Sequence, residues 1–274
     1  MLWLVIWILG MAALWIWDIY FLNAPALRQI QYAVANTFLI SFMVIFFSTL
    51  SAWASVMIIH YLESRSRLAF LHTINFLVNL LRSIPQIIGI LYGYVFLTLL
   101  MQSETVTRPF FLMTAMAFIL SIFIFLELHD LLLERIAHFK RLDFYNAMRV
   151  CGMSEFRIIN QEILLSNSMG HVLNKLIAIF GMAVFLQCSI DFIISVGLAV
   201  EVNSVNFPIT LGSLLAKIDS KQDILAIGYS LTNWDYAGNL FTRHLQGISV
   251  ALLTVYSLLC IHKVANAYAQ RQRL

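Results

Sequence analysis

Long apolar runs alternate with short polar segments along this chain, and the runs have the length of membrane spans. A spanning helix needs about 20 mostly apolar residues. Six runs approach or exceed that length, near residues 2–22, 34–60, 86–102, 110–130, 170–196 and 245–264. The pattern predicts an all-α fold, a polytopic membrane helical bundle of about six transmembrane helices that forms a single domain over residues 1–274.

The apolar stretch 68–102 is too long for one span, and a basic residue and a proline interrupt it. Arg82 and Pro85 lie near its middle, and proline ends or kinks a helix. We therefore predict a helix in the membrane plane before Pro85 and a spanning helix after it. In the polar insert 197–243, the apolar stretch Phe207 to Ala216 predicts a short helix that re-enters the mouth of the bundle.

Composition supports a lipid environment. Of the 274 residues, 61% are hydrophobic and 11% are charged, and the mean hydropathy is +0.85. A soluble globule of this size needs far more polar surface. The lipid bilayer is therefore the expected partner of most of the surface.

The basic residues predict the orientation, because cytoplasmic loops are enriched in Lys and Arg. If the loops near 61–85 and 131–169 and the C-terminal tail are cytoplasmic, eleven basic residues lie there and five lie outside. Both termini are then cytoplasmic, 131–169 is a cytoplasmic loop and 197–243 is an external loop. Arg28, which follows the first span, is a local signal to the contrary. The net charge of +3 follows from this asymmetry and gives no reason to expect a nucleic-acid partner.

A polar island between the fourth and fifth spans predicts two short helices joined by a turn, the segment 142–163 that we call the elbow. Asp143 and Ser154 are residue types that cap helices, and Gly152 permits a left-handed turn between them. Helical spacing puts seven apolar residues on the faces of the two helices: Phe144, Ala147, Met148 and Cys151, then Phe156, Ile159 and Ile163.

The elbow and three other segments resemble those of a transporter family. Asn146 to Ile159 is similar to the cytoplasmic loop of ATP-binding-cassette importer permeases, with Gly152 at the family glycine. Ser189 to Gly197, Leu211 to Ala216 and Leu81 to Pro85 also resemble family motifs. Within the superfamily the chain most resembles the dipeptide and oligopeptide permeases, as a divergent and shortened member.

This resemblance implies the type I importer permease fold (MetI-like) in the bacterial cytoplasmic, or inner, membrane. It implies a second homologous permease subunit, one or two cassette ATPase subunits, and a periplasmic or surface substrate-binding protein as partners, with peptides as cargo. The elbow would contact the ATPases through nine residues: Asp143, Tyr145, Asn146, Ala147, Arg149, Gly152, Met153, Glu155 and Phe156.

Departures from the family leave the cargo open. Asn146 replaces the acidic residue of the family loop, so that Glu155 or Asp143 is expected to take over its contact. Leu165 stands where proline is expected, and the usual segment after the first span is missing. A cationic antimicrobial peptide, a polyamine or a metal chelate remains an alternative cargo. A channel or structural membrane subunit that is not coupled to ATP is the alternative function.

Other chemistry is sparse in the sequence. No G-x-x-x-x-G-K-[ST] loop is present, so ATP and Mg are expected in partner subunits and no cofactor or enzyme activity in this chain. The scattered histidines and three cysteines predict no metal site, no disulfide and no catalytic group. Asp191 lies in an apolar span, where a charge is costly and often functional. With Gln187, one turn earlier, it is the candidate for the translocation path; hydration near the outer interface and an interhelical hydrogen bond are the alternatives for the two residues.

Overall fold

The computed structural model describes residues 2–65, 67–102, 108–197, 207–243 and 245–271, and these parts of the chain are helical without a strand. Five helices are long and apolar enough to cross a membrane, and a bent pair makes a sixth candidate. The prediction of an all-helical membrane bundle is therefore confirmed. The helices are α1 Leu2–Phe21, α2 Ala24–Ser64, α3 Leu68–Ser83, α4 Gln86–Gln102, α5 Pro109–Lys140, α6 Asp143–Val150, α7 Glu155–Arg157, a π-helix Ile158–Asn167, α8 Met169–Gly197, α9 Leu211–Leu215, α10 Ile218–Thr232, a 3-10 turn Trp234–Tyr236, α11 Ala237–Arg243 and α12 Leu245–Arg271.

Helices α2 and α5 are the longest and form the centre of the bundle. They run parallel, because Phe47 packs against Phe118 and Ser55 contacts His129 Nδ1 at 2.7 Å. α2 has 41 residues and is roughly 60 Å long, twice the ~30 Å hydrocarbon core of a bilayer. It begins ten residues before the predicted span at 34, and α5 continues ten residues beyond the predicted end at 130. The polar ends of both helices are thus continuous with their spans.

The predicted break near Pro85 is present. Helices α3 and α4 meet there at 96°, and Pro85 lies between the end of α3 at Ser83 and the start of α4 at Gln86. α3 buries none of its side chains. Its last turn is held by Arg82, which donates to Asp130 of α5 at 2.6 Å. α3 is therefore anchored at one end and otherwise lies on the outside of the bundle.

Helices α1, α8 and α12 complete the bundle around α2. α1 and α12 are antiparallel, since Asp18 accepts a 2.6 Å hydrogen bond from Ser249 while Lys263 lies over the Trp3 ring at 5.6 Å. α12 also packs along α8, with Ile261 against Gly181. The first turn of α1 and the last turns of α12 therefore point to the same end of the bundle as the elbow. We call this the elbow end and the opposite one the far end.

The described part of the insert, 207–243, lies at the far end, between the end of α8 and the start of α12. Residues 198–206 of this predicted external loop lie outside the described residues. The remainder contains the predicted short helix, α9, which is buried against α2, α8 and α12. Gly212 is essential to this packing, because a Cβ there would lie 2.2 Å from the Cys188 carbonyl oxygen.

Candidate functional site

The turn of the elbow has the predicted glycine conformation. Gly152 has a φ of +80°, the one positive-φ glycine among the described residues. Its amide donates to Arg149 O at 3.0 Å, and the Met153 amide donates to Met148 O at 3.2 Å. Glycine adopts this left-handed conformation without the strain that a Cβ would add. Gly152 therefore ends α6 with a left-handed turn before α7 begins.

The helix starts differ from the predicted caps. Leu142, not Asp143, occupies the cap position of α6, and no side chain caps the helix. Asp143 is instead in the first turn, where a carboxylate still favours the positive helix end. Ser154 has the cap position of α7 but makes no capping side-chain hydrogen bond. The second helix is also longer than predicted, since three α-helical residues continue as the π-helix up to Asn167.

The buried face of the elbow is only partly the predicted one. Phe144 and Met148 are half-buried beside the buried Tyr145, whereas Ala147 and Cys151 are exposed. In the second helix Ile159 and Ile163 are buried as predicted, but Phe156 is exposed. The two helical segments were predicted, but the face that each turns toward the bundle was not, because that face is set by contacts that the periodicity does not contain.

A polar network fixes the elbow to the long helices. Tyr145 donates from its hydroxyl to Glu155 Oε1 at 3.0 Å, and Lys140 Nζ reaches the same oxygen at 3.1 Å. Lys140 is the last residue of α5, and its Nζ also lies 3.3 Å from His60 Nδ1 near the end of α2. Further along, Trp53 of α2 donates to Asn160 at 2.7 Å. The elbow is thus tied to both parallel helices.

This network changes the acidity of its members. Burial acts to raise the pKa of Glu155, but the hydrogen bonds from Lys140 and Tyr145 outweigh it and lower the pKa below its ordinary value. Burial and the bond to Glu155 raise the pKa of Tyr145 to about 12. At neutral pH Tyr145 is therefore a donor and Glu155 an acceptor, as the geometry requires.

The elbow also carries an exposed apolar surface. Val150 is 88% exposed and Phe156 is 63% exposed, although both lie outside the apolar spans. Arg149 and Arg157 flank them and are also exposed. We call this set, Arg149, Val150, Phe156 and Arg157, the elbow patch. Val150 was not among the predicted contact residues; it is the last residue of α6 and lies off the apolar face that the spacing predicts for that helix.

The nine residues predicted to contact a partner are divided by the structure into three groups. Tyr145 is buried, and Met153 and Glu155 are half-buried. The other six are exposed on the elbow: Asp143, Asn146, Ala147, Arg149, Gly152 and Phe156. Tyr145 and Glu155 bind to each other and to α5, so their visible role is to hold the elbow, while their contact with a partner stays a prediction.

The two predicted path residues lie at the far end, beneath α9. Asp191 is 6% exposed and accepts a 2.6 Å hydrogen bond from Thr210 Oγ1. Gln187 is 0% exposed, and its side-chain amide interacts with the Asp191 carboxylate one helical turn away. Asp191 is thus buried beneath α9, and its role in a translocation path stays a prediction. We call Asp191, Gln187, Thr210 and Thr37 the buried polar cluster.

The other members of this region were not predicted from the sequence. The Leu211 amide donates to Thr37 Oγ1 of α2 at 3.1 Å, and Asn36 donates to Ile209 O at 2.8 Å. A single Thr or Asn in a span carries no signal by itself. Only the contact between distant segments reveals that these side chains hold α9.

Two comparisons with known proteins give no family. No family model matches the chain, and no curated protein matches it. The fold defines the class of protein, a multi-pass helical membrane bundle. The permease identity stays a prediction from the resemblance of its motifs.

Proposed function

We propose that this chain is a permease subunit of an ATP-driven importer, and that the elbow is where cassette ATPase subunits bind. The observation that carries the proposal is the elbow patch. A rigid knob with exposed apolar and basic side chains, held on the ends of two long helices, is suited to receive a moving partner. Exposed Val150 and Phe156 supply the apolar contact, and the flanking arginines suit carboxylates on the partner.

The path of the mechanical signal follows from the contacts of the elbow. Movement of α6 acts on α5 through Tyr145, Glu155 and Lys140. Movement of the π-helix acts on α2 through Asn160, and on α8 because the two are separated by one residue, Ser168. ATP drives transport only if the ATPase dimer with ATP binds one arrangement of these helices better than the other. The elbow transmits that preference to the bundle.

The second permease subunit provides the other wall of the path in this proposal. α1 is available for such a contact, because only 6% of its spanning window is buried within the chain. Its exposed apolar side chains meet lipid or another helical bundle. The complex also contains a substrate-binding protein on the external side, and the subunits act together in the bacterial cytoplasmic membrane with the elbow in the cytoplasm.

Affinity purification of the tagged chain from native membranes in mild detergent tests the proposal. We expect a second six-span permease and one or two cassette ATPases to co-purify, with ATP hydrolysis by the complex. Phe156→Asp should remove the ATPases while retaining the permease, because it places a charge in the apolar contact. Leu231→Asp is the matched control. Leu231, like Phe156, is a large apolar side chain that is mostly exposed, at 71%, but it lies in α10, away from the elbow.

The chain purified alone, without hydrolysis of ATP, would contradict the proposal and favour a channel or structural subunit. Co-purified ATPases that survive Phe156→Asp unchanged would keep the importer but move the contact away from the elbow patch.

A further inference from the structure

An apolar cavity lies between α1, α2, α8 and α12. Its volume is about 300 Å³, at the lower end of the range of ligand pockets, which is about 300–1,000 Å³. All the side chains that line it are apolar or aromatic. The polar atom among them is the Trp7 indole nitrogen, which donates to Ser257 of α12 at 3.4 Å. A water molecule needs polar partners, whereas a cavity lined in this way takes apolar ligands. The cavity therefore favours an apolar occupant.

The cavity opens on the outer surface of the bundle, beside α1. Helix α1 packs chiefly along α12, and on the side of α2 it makes an edge contact between the Trp7 and Phe38 rings, whose centroids are 6.2 Å apart. Three of the side chains that line the cavity are exposed, Leu4, Phe42 and Leu173. All three lie in helices that are long and apolar enough to cross a membrane. The opening therefore faces the hydrocarbon of the bilayer.

The apolar cavity lies in the half of the bundle nearer the elbow end. Leu4 is in the first turn of α1 and Leu173 in the second turn of α8, and both of these helices begin at the elbow end. In the proposed orientation this half of the bundle spans the cytoplasmic leaflet. The acyl chains that reach the opening therefore belong to lipids whose headgroups lie at the elbow end.

A cationic side chain lies on the elbow-end side of the cavity. Lys263 Nζ is 5.6 Å from the centre of the Trp3 ring, and Trp3 is one helical turn before the cavity-lining Trp7 on the same face of α1. Lys263 is exposed, and none of the ion pairs within the described parts of the chain includes it. Tryptophan and lysine are typical of the membrane–water interface, where lipid headgroups lie. Lys263 therefore complements the phosphate of an anionic lipid.

We propose that the apolar cavity binds one acyl chain of an anionic phospholipid, whose headgroup is held by Lys263 over Trp3. The chain fills the space between α1 and the rest of the bundle, where water has no polar partner. The headgroup stays at the interface, and its negative charge distinguishes this lipid from a zwitterionic one. The site requires the membrane bundle alone, so it stands or fails independently of the importer function.

Photoactivatable lipids test the site. The tagged chain, with whatever partner subunits it retains, is purified in mild detergent and placed in phosphatidylcholine nanodiscs. The nanodiscs contain a trace of phosphatidylglycerol or of phosphatidylcholine that carries a diazirine at the end of one acyl chain. Mass spectrometry then compares labelling of the cavity-lining segments 4–7 and 173–180 with labelling of α4 near the exposed Phe96. We expect phosphatidylglycerol to label the cavity segments about fivefold more than phosphatidylcholine, the gain from one basic residue at a membrane surface, and both lipids to label α4 equally.

Substitutions of Lys263 test the headgroup contact. Lys263→Gln should remove the preference for phosphatidylglycerol, and Lys263→Arg should keep it. Arg65→Gln is the matched control, because Arg65 is also an exposed base over an aromatic ring, 5.6 Å from the centre of Tyr61. Arg65 follows the last residue of α2, roughly 30 Å along the helix from the cavity-lining Ile45, so Arg65→Gln should leave the preference unchanged.

Leu176→Phe tests the cavity itself, because a larger side chain in the lining occupies the space of the acyl chain. It should lower labelling of segment 4–7 by both lipids. Leu91→Phe is the matched control, since Leu91 is another half-buried leucine, on α4 and outside the cavity, and should leave that labelling unchanged.

Equal labelling of the cavity segments by the two lipids, or a preference that Lys263→Gln leaves intact, would overturn the anionic headgroup and with it the inference. Cavity segments that are labelled less than α4 by both lipids would show that a neighbouring subunit covers the opening, and would overturn it as well. The assay needs no ATP and no cargo, so neither result depends on whether cassette ATPases co-purify with the chain.

Discussion

Glu155 lies inside the elbow, where Tyr145 and Lys140 both donate to its Oε1. This bears on which acidic residue contacts a partner, because Asn146 has no carboxylate at the position where the family loop has one. Glu155 and Asp143 are the two acids that the sequence places near Asn146 as replacements. Because Glu155 is engaged within the chain and Asp143 is exposed in the first turn of α6, we now favour Asp143 for a contact with a basic residue of a partner.

The stabilisation of the elbow by Glu155 should depend on pH in the acid range. The pKa of Glu155 is lower in the folded elbow than its ordinary value of 4.5, so ionised Glu155 stabilises the fold at pH values above 4.5 and this contribution is lost as the pH falls through the folded pKa. The effect is about 1 kcal/mol, since the carboxylate is partly exposed and screened. Hydrogen exchange of amides 142–157 should accelerate below pH 4.5 by more than the intrinsic chemical trend, and Glu155→Gln should remove this extra acceleration. An extra acceleration that persists in Glu155→Gln would show that another group causes it.

A substitution at Gly152 should destabilise the turn less when the new residue adopts a positive φ more readily. No atom lies within 4 Å of the Cβ position, so substitution costs backbone strain and creates no clash. The cost is about 1–2 kcal/mol for an ordinary L-residue and less for Asn. We expect limited proteolysis to cut the elbow faster in Gly152→Val than in Gly152→Asn, with the bundle intact in both. Equal proteolysis of both variants would show that the turn conformation does not control the elbow.

At the scale of elements, α9 is a buried helix of five residues whose position depends on contacts from three directions. Thr210 caps it through Ser213, Thr37 binds its first amide, and Gly212 permits contact with the α8 backbone. Such a short helix has little stability of its own. Its order therefore depends on the bundle, and in turn α9 closes the far end.

Gly212→Ala should displace α9. Its Cβ would meet the backbone of Cys188 at 2.2 Å, which cannot move without distorting α8. Overpacking of this kind costs about 1–3 kcal/mol, which should lower the thermal unfolding midpoint of the purified protein. Gly228→Ala in α10 is the matched control, because nothing lies within 4 Å of that Cβ position; it should be neutral or stabilising, since alanine favours a helix interior by up to about 1 kcal/mol. An unchanged midpoint in Gly212→Ala would mean that α9 is not packed as described.

Much at this scale followed from the sequence. Apolar run length predicted the long helices, Pro85 predicted the break between α3 and α4, and Gly152 predicted the left-handed turn. The π-helix did not follow, because a shift from α to π pairing leaves no periodic signal over ten residues. The Asp18–Ser249 contact joins residues 231 positions apart. Contacts of this kind depend on which helices become neighbours, and local pattern does not specify that.

At the scale of the whole molecule, the two ends of the bundle have different chemistry. The elbow end carries an exposed patch with arginines, on helices that extend beyond their predicted spans. The far end has a buried carboxylate beneath a short helix. Helices α2, α5 and α8 run between the two regions, so in the proposed function a partner bound at the elbow would act on the far end through them.

Photo-crosslinking from position 156 in growing cells tests the central claim most directly. A benzoylphenylalanine there replaces one exposed aromatic side chain with another, so the elbow should remain folded. We expect crosslinks to a cassette ATPase that change in yield when ATP is depleted, and none from the same probe at Leu231. Crosslinks to lipid alone, or to a protein without a nucleotide-binding domain, would contradict the account of the elbow as the site where ATP hydrolysis is coupled to this bundle.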